Sequence, residues 1–265
     1  MEQIIFIGDT CLDVSYFGHT QKMSPEKANL QIFTVEKKDT DFGMVGNTFR
    51  NFCNIIDFYK FNINAKLITN TNNMPTKHRQ YDSSGNMIYR FDENDNISEQ
   101  FQMSNLIELL SENTKMVVIS DYDKGFLSYS DIKDIAEICK QNNTKVLIDT
   151  KKLLFSGYFE NIDFIKLNSL EYKNNMMLIE ENNFYDKIIV TLSEKGCMYQ
   201  NEIIETPYKY NDTVKIYPEG CGDTFVAGFV LNYILDNDII KSINFGMEMA
   251  GKVLTKKGVA LPFNL

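Results

Sequence analysis

The chain contains no tryptophan, two histidines, five prolines and five cysteines in 265 residues. The cysteines are odd in number and form no C-x-x-C pair, so neither a disulfide framework nor a zinc site is indicated, and a reducing compartment fits best. His19 and His78 lie in polar, turn-rich stretches without a second histidine or cysteine at ligand spacing. We therefore expect both at the surface and assign them no chemistry.

Long apolar runs and an excess of basic residues are also absent. No stretch approaches the roughly 20 apolar residues that cross a bilayer, and the N-terminus lacks the basic start and the cleavage site of a signal peptide. With 27 Lys and Arg against 36 Asp and Glu, the net charge is −9, whereas nucleic-acid binding depends on clustered basic side chains. These absences predict a cytoplasmic protein with neither a membrane nor a nucleic-acid partner.

What the chain does contain is a series of short apolar runs separated by segments with helical spacing. The runs occupy residues 3–8, 116–120, 145–149, 163–167 and 187–191. Between them, in residues 130–140 for example, apolar side chains recur on one helical face. This alternation predicts an α/β fold with a mostly parallel sheet between layers of helices, and the length suits one domain over residues 1–265.

Two segments, about 14–40 and 77–92, alternate polar and apolar residues instead. Residues 83–86 supply a turn within the second segment. We predict that the two segments form a small β-sheet lid over one end of the main sheet. An open edge of such a lid can pair with a second copy of the chain, which makes a homodimer one expected partner.

The segment from Tyr217 to Leu235 carries the strongest chemical signal. Gly220 and Gly222 predict a tight turn, and the apolar run after Asp223 predicts a buried helix. The first amides of such a helix carry partial positive charge and can hold the oxygens of a transferring phosphoryl group. Asp223 beside them could accept the proton of an attacking hydroxyl. The alternative is that Asp223 is only a helix cap.

Two other polar groups follow predicted strands, at the edge of the sheet where ligands bind in folds of this class. Asn168 and Glu171 lie one helical turn apart and can organise waters around Mg²⁺, although a capped helix start explains them as well. Thr191 to Gly196 forms a hydroxyl-bearing loop that could lie near nucleotide phosphates, and a plain βα turn is the alternative.

These residues resemble the ribokinase family, also called the PfkB carbohydrate kinases. Gly220-Cys221-Gly222-Asp223-Thr224 is similar to its G-A-G-D-T signature, which implies that Asp223 is the catalytic base and that the preceding amides form the anion hole. Asn168 to Glu171 matches N-x-x-E, and Thr191 to Gly196 resembles T-x-G-x-x-G, with Ser193 at a frequent glycine. The resemblance implies a three-layer sandwich with a β lid, and ATP and Mg²⁺ as cofactors.

Within the family, the chain is most similar to kinases that phosphorylate heptose 7-phosphate at O1. Residues 120–125 resemble their S-D-Y-x-K-G, residues 24–26 their S-P-E, and residues 146–151 their V-L-I-D-P-K with Thr150 in place of proline. The sugar-binding residues that we predict from this likeness and from the need for local cations are Asp13, Gly43, Asn47, Lys77, Arg79, Asp121 and Lys124. The predicted nucleotide and metal ligands are Asn168, Glu171, Thr191, Ser193, Gly196 and Lys151, with Asn168 and Glu171 holding Mg²⁺ mostly through water.

Three features depart from the family pattern. The paired glycines of the family appear as Gly43-Met44, the stretch between Asn64 and Thr76 is contracted, and Met247 stands near a position where asparagine often borders the adenine. The sequence thus predicts an ATP-dependent sugar kinase, with heptose 7-phosphate as the first candidate acceptor. The alternatives are a kinase of ribose, fructose or a nucleoside, and a kinase-like protein that binds sugar or nucleotide without turnover.

Overall fold

A computed structural model describes residues 1–154, 160–208 and 214–264 of the chain. The strands within these residues are β1 (Glu2–Gly8), β2 (Thr10–Met23), β3 (Gln31–Met44), β4 (Ile63–Thr69), β5 (Thr76–Tyr81), β6 (Met87–Glu93), β7 (Thr114–Asp121), β8 (Lys145–Thr150), β9 (Phe164–Asn168), β10 (Ile188–Thr191), β11 (Cys197–Tyr199) and β12 (Glu202–Ile204). The helices are α1 (Val45–Tyr59), α2 (Met103–Leu109), α3 (Tyr129–Gln141), α4 (Ser169–Asn182), α5 (Cys221–Asp236) and α6 (Ile239–Val253).

Eight strands form the main sheet in the order β12-β11-β10-β9-β8-β7-β1-β4. The pairs from β10 to β4 are parallel, and only β11 and β12 run antiparallel to their neighbours. All five apolar runs predicted as strands lie in this sheet. The expectation of a mostly parallel α/β sheet is therefore confirmed.

Helices cover both faces of the main sheet. The central strands are buried on both sides, as β1 and β7 show with almost uninterrupted buried residues. One hydrophobic cluster joins alternate strand residues to α2, α3 and α4, and a second joins the opposite strand faces to α1, α5 and α6. This gives the three-layer sandwich expected from strands that read as continuous apolar runs.

The other four strands form a separate sheet in the order β3-β2-β5-β6. It contains the two segments predicted as a lid and extends them to Thr10 and Met44 on one side and to Thr76 and Glu93 on the other. We keep the name lid for this sheet. His78, which we expected at the surface, is instead 9% exposed, because its ring stacks on Phe91 with 4.3 Å between centroids; that expectation was wrong.

Three strands of the main sheet, β4, β11 and β12, were not revealed by the sequence pattern, and β4 is the longest of them. It pairs in parallel with β1 at the edge of the sheet. Its sequence, Ile-Asn-Ala-Lys-Leu-Ile-Thr, mixes polar and apolar residues, and most of its side chains are only half-buried. An edge strand needs no continuous apolar run, which is why the periodicity was weak here.

A single residue, Asp9, links β1 of the main sheet to β2 of the lid. Its carboxylate accepts hydrogen bonds from the backbone amides of Tyr122 (2.7 Å), Lys124 (3.3 Å) and Phe126 (3.3 Å). Its own carbonyl accepts from the Val45 amide, where α1 begins. Burial and the neighbouring Asp121 raise the pKa of Asp9 above its ordinary value, against these amide bonds. Asp9 thus fixes the start of the lid to the loop after β7 and to the first residue of α1.

Across the described residues, none of the helices is both long enough and apolar enough to span a lipid bilayer.

Candidate active site

Asp223 lies in the first turn of α5, a helix that is buried over most of its length. Its carboxylate accepts hydrogen bonds from Asn47 Nδ2 on one oxygen (2.7 Å) and from the Tyr122 hydroxyl on the other (2.8 Å). The residue before the helix is Gly220, and no side chain caps the helix. The alternative in which Asp223 serves only as a helix cap is therefore wrong, because its oxygens face residues from α1 and from the loop after β7.

Burial is the largest influence on the acidity of Asp223. The side chain is 6% exposed, and desolvation raises its pKa above the ordinary value, while the bonds from Asn47 and Tyr122 act in the opposite direction. A carboxylate with a raised pKa is a stronger proton acceptor than one in water, provided that it remains ionised at the working pH. Asp223 therefore suits the role of a general base.

Asn47 belongs to a buried chain of side chains that holds Asp223 in place. Its Oδ1 accepts from Asn51 Nδ2 at 2.8 Å, and Asn51 Oδ1 accepts from the Thr224 hydroxyl at 3.0 Å. Asn47, Asn51 and Thr224 are fully buried. We predicted Asn47 as a sugar ligand, and the structure places its amide on the carboxylate of Asp223 instead of in an open cleft.

The start of α5 is arranged to receive an anion. Gly220 has a left-handed backbone conformation, with φ of 80°, that turns the chain into the helix. Within the described residues, the amides of Gly222 and Asp223 donate to no carbonyl outside the helix, and their position in the first turn leaves them without an intrahelical acceptor. Residues 220–222 are partly exposed. The predicted anion hole is thus open to a ligand at Gly222 and Asp223, whereas the Cys221 amide donates to the Pro218 carbonyl at 3.2 Å.

The lid contributes a buried pair of opposite charges. The Asp13 carboxylate and the Arg79 guanidinium form a buried ion pair between β2 and β5. Gly43 on β3 lies so close to Asp13 that a β-carbon there would overlap its carboxylate and would come within 2.7 Å of Cys11 Sγ. The structure therefore brings three of the predicted sugar residues together, and it explains why a glycine is needed at position 43.

Lys77 and Tyr122 connect the lid with the base. The Lys77 ammonium lies 5.2 Å from the centroid of the Tyr122 ring, and Lys151 Nζ lies 5.4 Å from the same centroid. Lys77 comes from β5 of the lid, whereas Lys151 follows β8 of the main sheet. Two predicted cations, one from the lid and one from the main sheet, thus lie close to one aromatic ring, whose hydroxyl bonds to Asp223.

Asn168 caps α4, and Glu171 lies in the first turn of this helix. They form a reciprocal capping box in which the Asn168 side chain accepts from the Leu170 and Glu171 amides and Glu171 accepts from the Asn168 amide. The capped helix start that we considered as the alternative is therefore present. In addition, Glu171 Oε1 accepts from Asn168 Nδ2 at 2.7 Å and from the Lys151 ammonium. Both oxygens of Glu171 thus have protein partners, which suits contact with a metal ion through water.

The predicted nucleotide loop follows β10 at the same edge of the sheet. Ser193 has φ of 55° and Gly196 has φ of 95°. The loop thus keeps, at Ser193, the backbone conformation that a glycine adopts freely, although the side chain is present. Ser193 is exposed and Thr191 is half-buried, so both residues lie near the surface at the carboxyl end of β10.

Two predicted sugar residues point to other partners. Asp121 is buried and binds Lys152 Nζ at 2.7 Å and the Thr150 hydroxyl at 2.8 Å. Lys124 pairs with Asp95 at 2.6 Å. In this structure both side chains are engaged within the protein, and their contact with a sugar stays a prediction.

Met44 occupies the second position of the glycine pair that is usual in the family. It has φ of 59° and ψ of −136°, is 2% exposed, and precedes the first residue of α1. Few residues other than glycine adopt this conformation, which costs on the order of 1–3 kcal/mol. The chain therefore retains the backbone turn of a glycine pair at an energetic cost.

Sequence reasoning missed a buried ion pair beneath the helix start. Lys166 Nζ lies 2.9 Å from Asp149 Oδ2, and both residues are at most 5% exposed. The ammonium would be 3.3 Å from a β-carbon placed at Gly222, and Asp149 Oδ1 has no hydrogen-bond partner within the described chain. The available signal was a lysine inside an otherwise apolar strand, since a buried lysine is rarely free of function or of a partner.

Curated relatives match almost the whole chain at low identity. The bifunctional protein HldE of Aliarcobacter butzleri is 26% identical over 97% of this chain and 62% of the relative. The bifunctional protein HldE of Campylobacter jejuni is 29% identical over the same shares of both chains. The chain therefore spans about three fifths of the length of these relatives.

Solved structures share the fold. A nucleoside kinase of Methanocaldococcus jannaschii, described as an archaeal member of the ribokinase family, has a TM-score of 0.63 with 20% identity and covers 98% of this chain and 93% of its own. The ribokinase of Arabidopsis thaliana complexed with ribose and ATP has a TM-score of 0.67 with 14% identity and covers 97% and 94%.

The sequence profile described as pfkB family carbohydrate kinase matches residues 42–264. This range extends from the end of β3 to the C-terminus and includes Asp223 with the whole of α5. The carboxylate at an uncapped helix start, which physical reasoning selected as a phosphotransfer site, lies in the matched region. The chain belongs to the pfkB family of carbohydrate kinases and is a phosphotransferase.

Proposed function

We propose that this kinase transfers the γ-phosphoryl group of ATP to a sugar phosphate, and that heptose 7-phosphate, phosphorylated at O1, is the preferred acceptor. The observation that carries the proposal is the buried Asp223 at the open start of α5, which accepts from the hydroxyl of Tyr122, whose ring lies 5.2 Å from the Lys77 ammonium of the lid. The acceptor is suggested by the resemblance of residues 120–125 to the heptose kinases. A non-catalytic role has less support, because Asp223, Asn168 and Glu171 are all in place.

In the proposed reaction, Asp223 accepts the proton of the acceptor hydroxyl while the hydroxyl oxygen attacks the γ-phosphorus. The bond from that phosphorus to the bridging oxygen breaks, and ADP leaves. The amides of Gly222 and Asp223 face the place where the phosphoryl oxygens gain charge, and the Lys166 ammonium, paired with Asp149, lies close to Gly222. Such preorganised donors stabilise the transition state because they need no rearrangement as charge develops.

We place the nucleotide at the carboxyl ends of the strands, near Thr191, Ser193 and Gly196. Mg²⁺, when bound with ATP, would neutralise charge on the phosphates. Glu171 and Asn168 would hold its waters, a role supported by the finding that Glu171 is already fully paired. Lys151, paired with Glu171, would face the same phosphates.

On the acceptor side, we propose that Asp13 accepts hydrogen bonds from sugar hydroxyls and that Lys77 and Arg79 bind the phosphate of the acceptor. Arg79 is partly neutralised by Asp13, so Lys77 supplies the less compensated charge. Closure of the lid would exclude water, which competes with the sugar as an acceptor.

A panel of acceptors tests the proposed substrate. With Mg²⁺ and ATP, ADP release is measured with heptose 7-phosphate, ribose, fructose and a nucleoside. Each charged hydrogen bond to the phosphate is worth about 1.5–3 kcal/mol. An acceptor that lacks the phosphate should therefore have a kcat/KM about 10- to 100-fold lower than that of heptose 7-phosphate. Turnover of another sugar but not of heptose 7-phosphate would reassign the acceptor. Calorimetric sugar binding with no ADP release from any acceptor would support the non-catalytic alternative.

We also propose that the lid forms a homodimer and that the protein acts in the cytoplasm. The lid has two edge strands, β3 and β6, and exposes the apolar side chains of Ile32, Val35, Phe42, Met87, Tyr89 and Phe91. Exposed apolar edges favour pairing. Sedimentation is expected to show a dimer at micromolar concentration, and a monomer at all concentrations would dismiss the interface.

The five free cysteines support a reducing compartment.

A further inference from the structure

Tyr122 places its hydroxyl on the proposed base. The Tyr122 Oη donates to Asp223 Oδ1 at 2.8 Å, and Asn47 Nδ2 occupies the other oxygen at 2.7 Å. Each carboxylate oxygen of Asp223 therefore already has a protein donor. A sugar hydroxyl that gives its proton to Asp223 must approach one of these oxygens, so one of the two donors has to yield or share its place.

The two donors differ in how firmly they are held. Asn47 is fully buried, and its second polar atom is bound by Asn51. Tyr122 is half-buried as a whole residue, although its hydroxyl end is desolvated, and the hydroxyl bonds to Asp223 alone among the described residues. Tyr122 is therefore the donor that can leave, and Asn47 is the one that stays.

The lysines around the Tyr122 ring indicate that the two proposed substrates meet near its hydroxyl. Lys77 of the lid, a proposed acceptor ligand, and Lys151, which pairs with Glu171 and is a proposed nucleotide ligand, both lie over the ring. The phenol is also the same kind of group as the acceptor, an O–H donor to a carboxylate. It is a poor nucleophile itself, because burial and the charge of Asp223 raise its pKa well above the ordinary value, so it keeps its proton.

We propose that the Tyr122 hydroxyl fills the acceptor position on Asp223 in the sugar-free enzyme and that the sugar hydroxyl displaces it. While the Tyr122 hydroxyl occupies this position, water cannot donate its proton to Asp223, and the position becomes available when a sugar binds. This inference rests on the proposed function, because it requires Asp223 to be the base. Without the hydroxyl, a water molecule can donate its proton to Asp223 while its oxygen attacks the γ-phosphorus, and the products are ADP and inorganic phosphate.

Tyr122→Phe tests the inference without any sugar. The variant removes one oxygen and keeps the ring beside the two lysines. With Mg²⁺ and ATP alone, phosphate release is expected to rise by about tenfold, a part of the ~10²- to 10⁴-fold that general-base catalysis is worth. ATP is supplied at a concentration that saturates the thermal shift of each protein. Tyr199→Phe is the matched control, since its hydroxyl donates to the Asp186 carbonyl away from the cleft, and it should leave phosphate release unchanged.

Asp223→Asn and the double variant separate this inference from the proposed function. A rise in Tyr122→Phe that disappears in the double variant supports the displacement. A rise that persists in the double variant, or no rise in Tyr122→Phe while Asp223→Asn abolishes sugar phosphorylation, overturns the displacement and leaves the base in place. Unchanged sugar phosphorylation by Asp223→Asn overturns the base assignment itself. A purely structural role of the hydroxyl would lower thermal stability and activity together, without a rise in phosphate release.

Discussion

Asp223→Asn is expected to lower kcat for sugar phosphorylation by about 10²- to 10⁴-fold, the range that a positioned general base contributes. An asparagine has nearly the same shape as the aspartate but cannot accept the proton of the acceptor hydroxyl. Its carbonyl can still accept from Asn47, and its amide can donate to the oxygen of Tyr122. Because a neutral amide costs less to bury than a carboxylate, the melting temperature should not fall.

The measurement is steady-state ADP release, together with a thermal shift in the presence of ATP. Asp236→Asn provides a matched control at the other end of α5, where Asp236 is exposed and pairs with Lys241. The control should retain full activity. If Asp223→Asn also keeps its kcat, the residue is not the base; if it loses the ATP-dependent thermal shift as well, its effect lies in binding.

Lys166→Met is expected to destabilise the protein strongly. Removing one partner of a buried ion pair leaves the other charge unpaired in a medium of low polarity, at a cost of about 3–5 kcal/mol in the free energy of unfolding. Asp149 would then have neither oxygen satisfied, since Oδ1 already lacks a partner within the described residues. The free energy of unfolding in urea measures the change.

The pH dependence of activity should shift in the same variant. The positive charge of Lys166 lowers the pKa of Asp223, whereas the negative charge of Asp149 raises it. Asp223 must be ionised to act as a base, so loss of Lys166 makes kcat/KM decline at a higher pH as the solution is acidified.

The double variant Lys166→Met with Asp149→Asn is the matched control for both effects. It removes both charges together, so most of the stability should return and the acidic limb of the pH profile should move back toward that of the parent protein. Stability that stays low in the double variant, or an unchanged stability in the single one, would contradict the role given to this ion pair.

Local sequence patterns were sufficient for five of the eight strands of the main sheet and for the helix that carries the base. Buried parallel strands read as continuous apolar runs, and a glycine turn before an apolar segment marks the start of α5. Strand β4 escaped this reasoning, because an edge strand is exposed along one side and its side chains need not be apolar. Ser193 and Met44 were recognised as departures from glycine, but only coordinates show that both keep a positive φ.

The partners of the base could not be derived in the same way. Asn47 and Asp223 are 176 residues apart in the chain, and Tyr122 and Asp223 are 101 apart. No periodicity connects such positions, since the folding of the sheet alone brings them together. The resemblance to a family suggested a sugar contact for Asn47, whereas the structure places it against the carboxylate, and Lys166 was visible only as an unusual residue in an apolar strand.

Asp9 has a practical consequence for genetic experiments on this enzyme. Its carboxylate holds three amides of the loop that carries Tyr122, and its carbonyl holds the first amide of the helix that carries Asn47. In a mutational scan scored by growth, substitutions at Asp9 would therefore lower growth as much as substitutions of a residue that takes part in the reaction, although Asp9 is fully buried. Sensitivity to substitution at Asp9 would show that this residue holds the lid and the main sheet together. Interpreting that sensitivity as substrate contact would be an error.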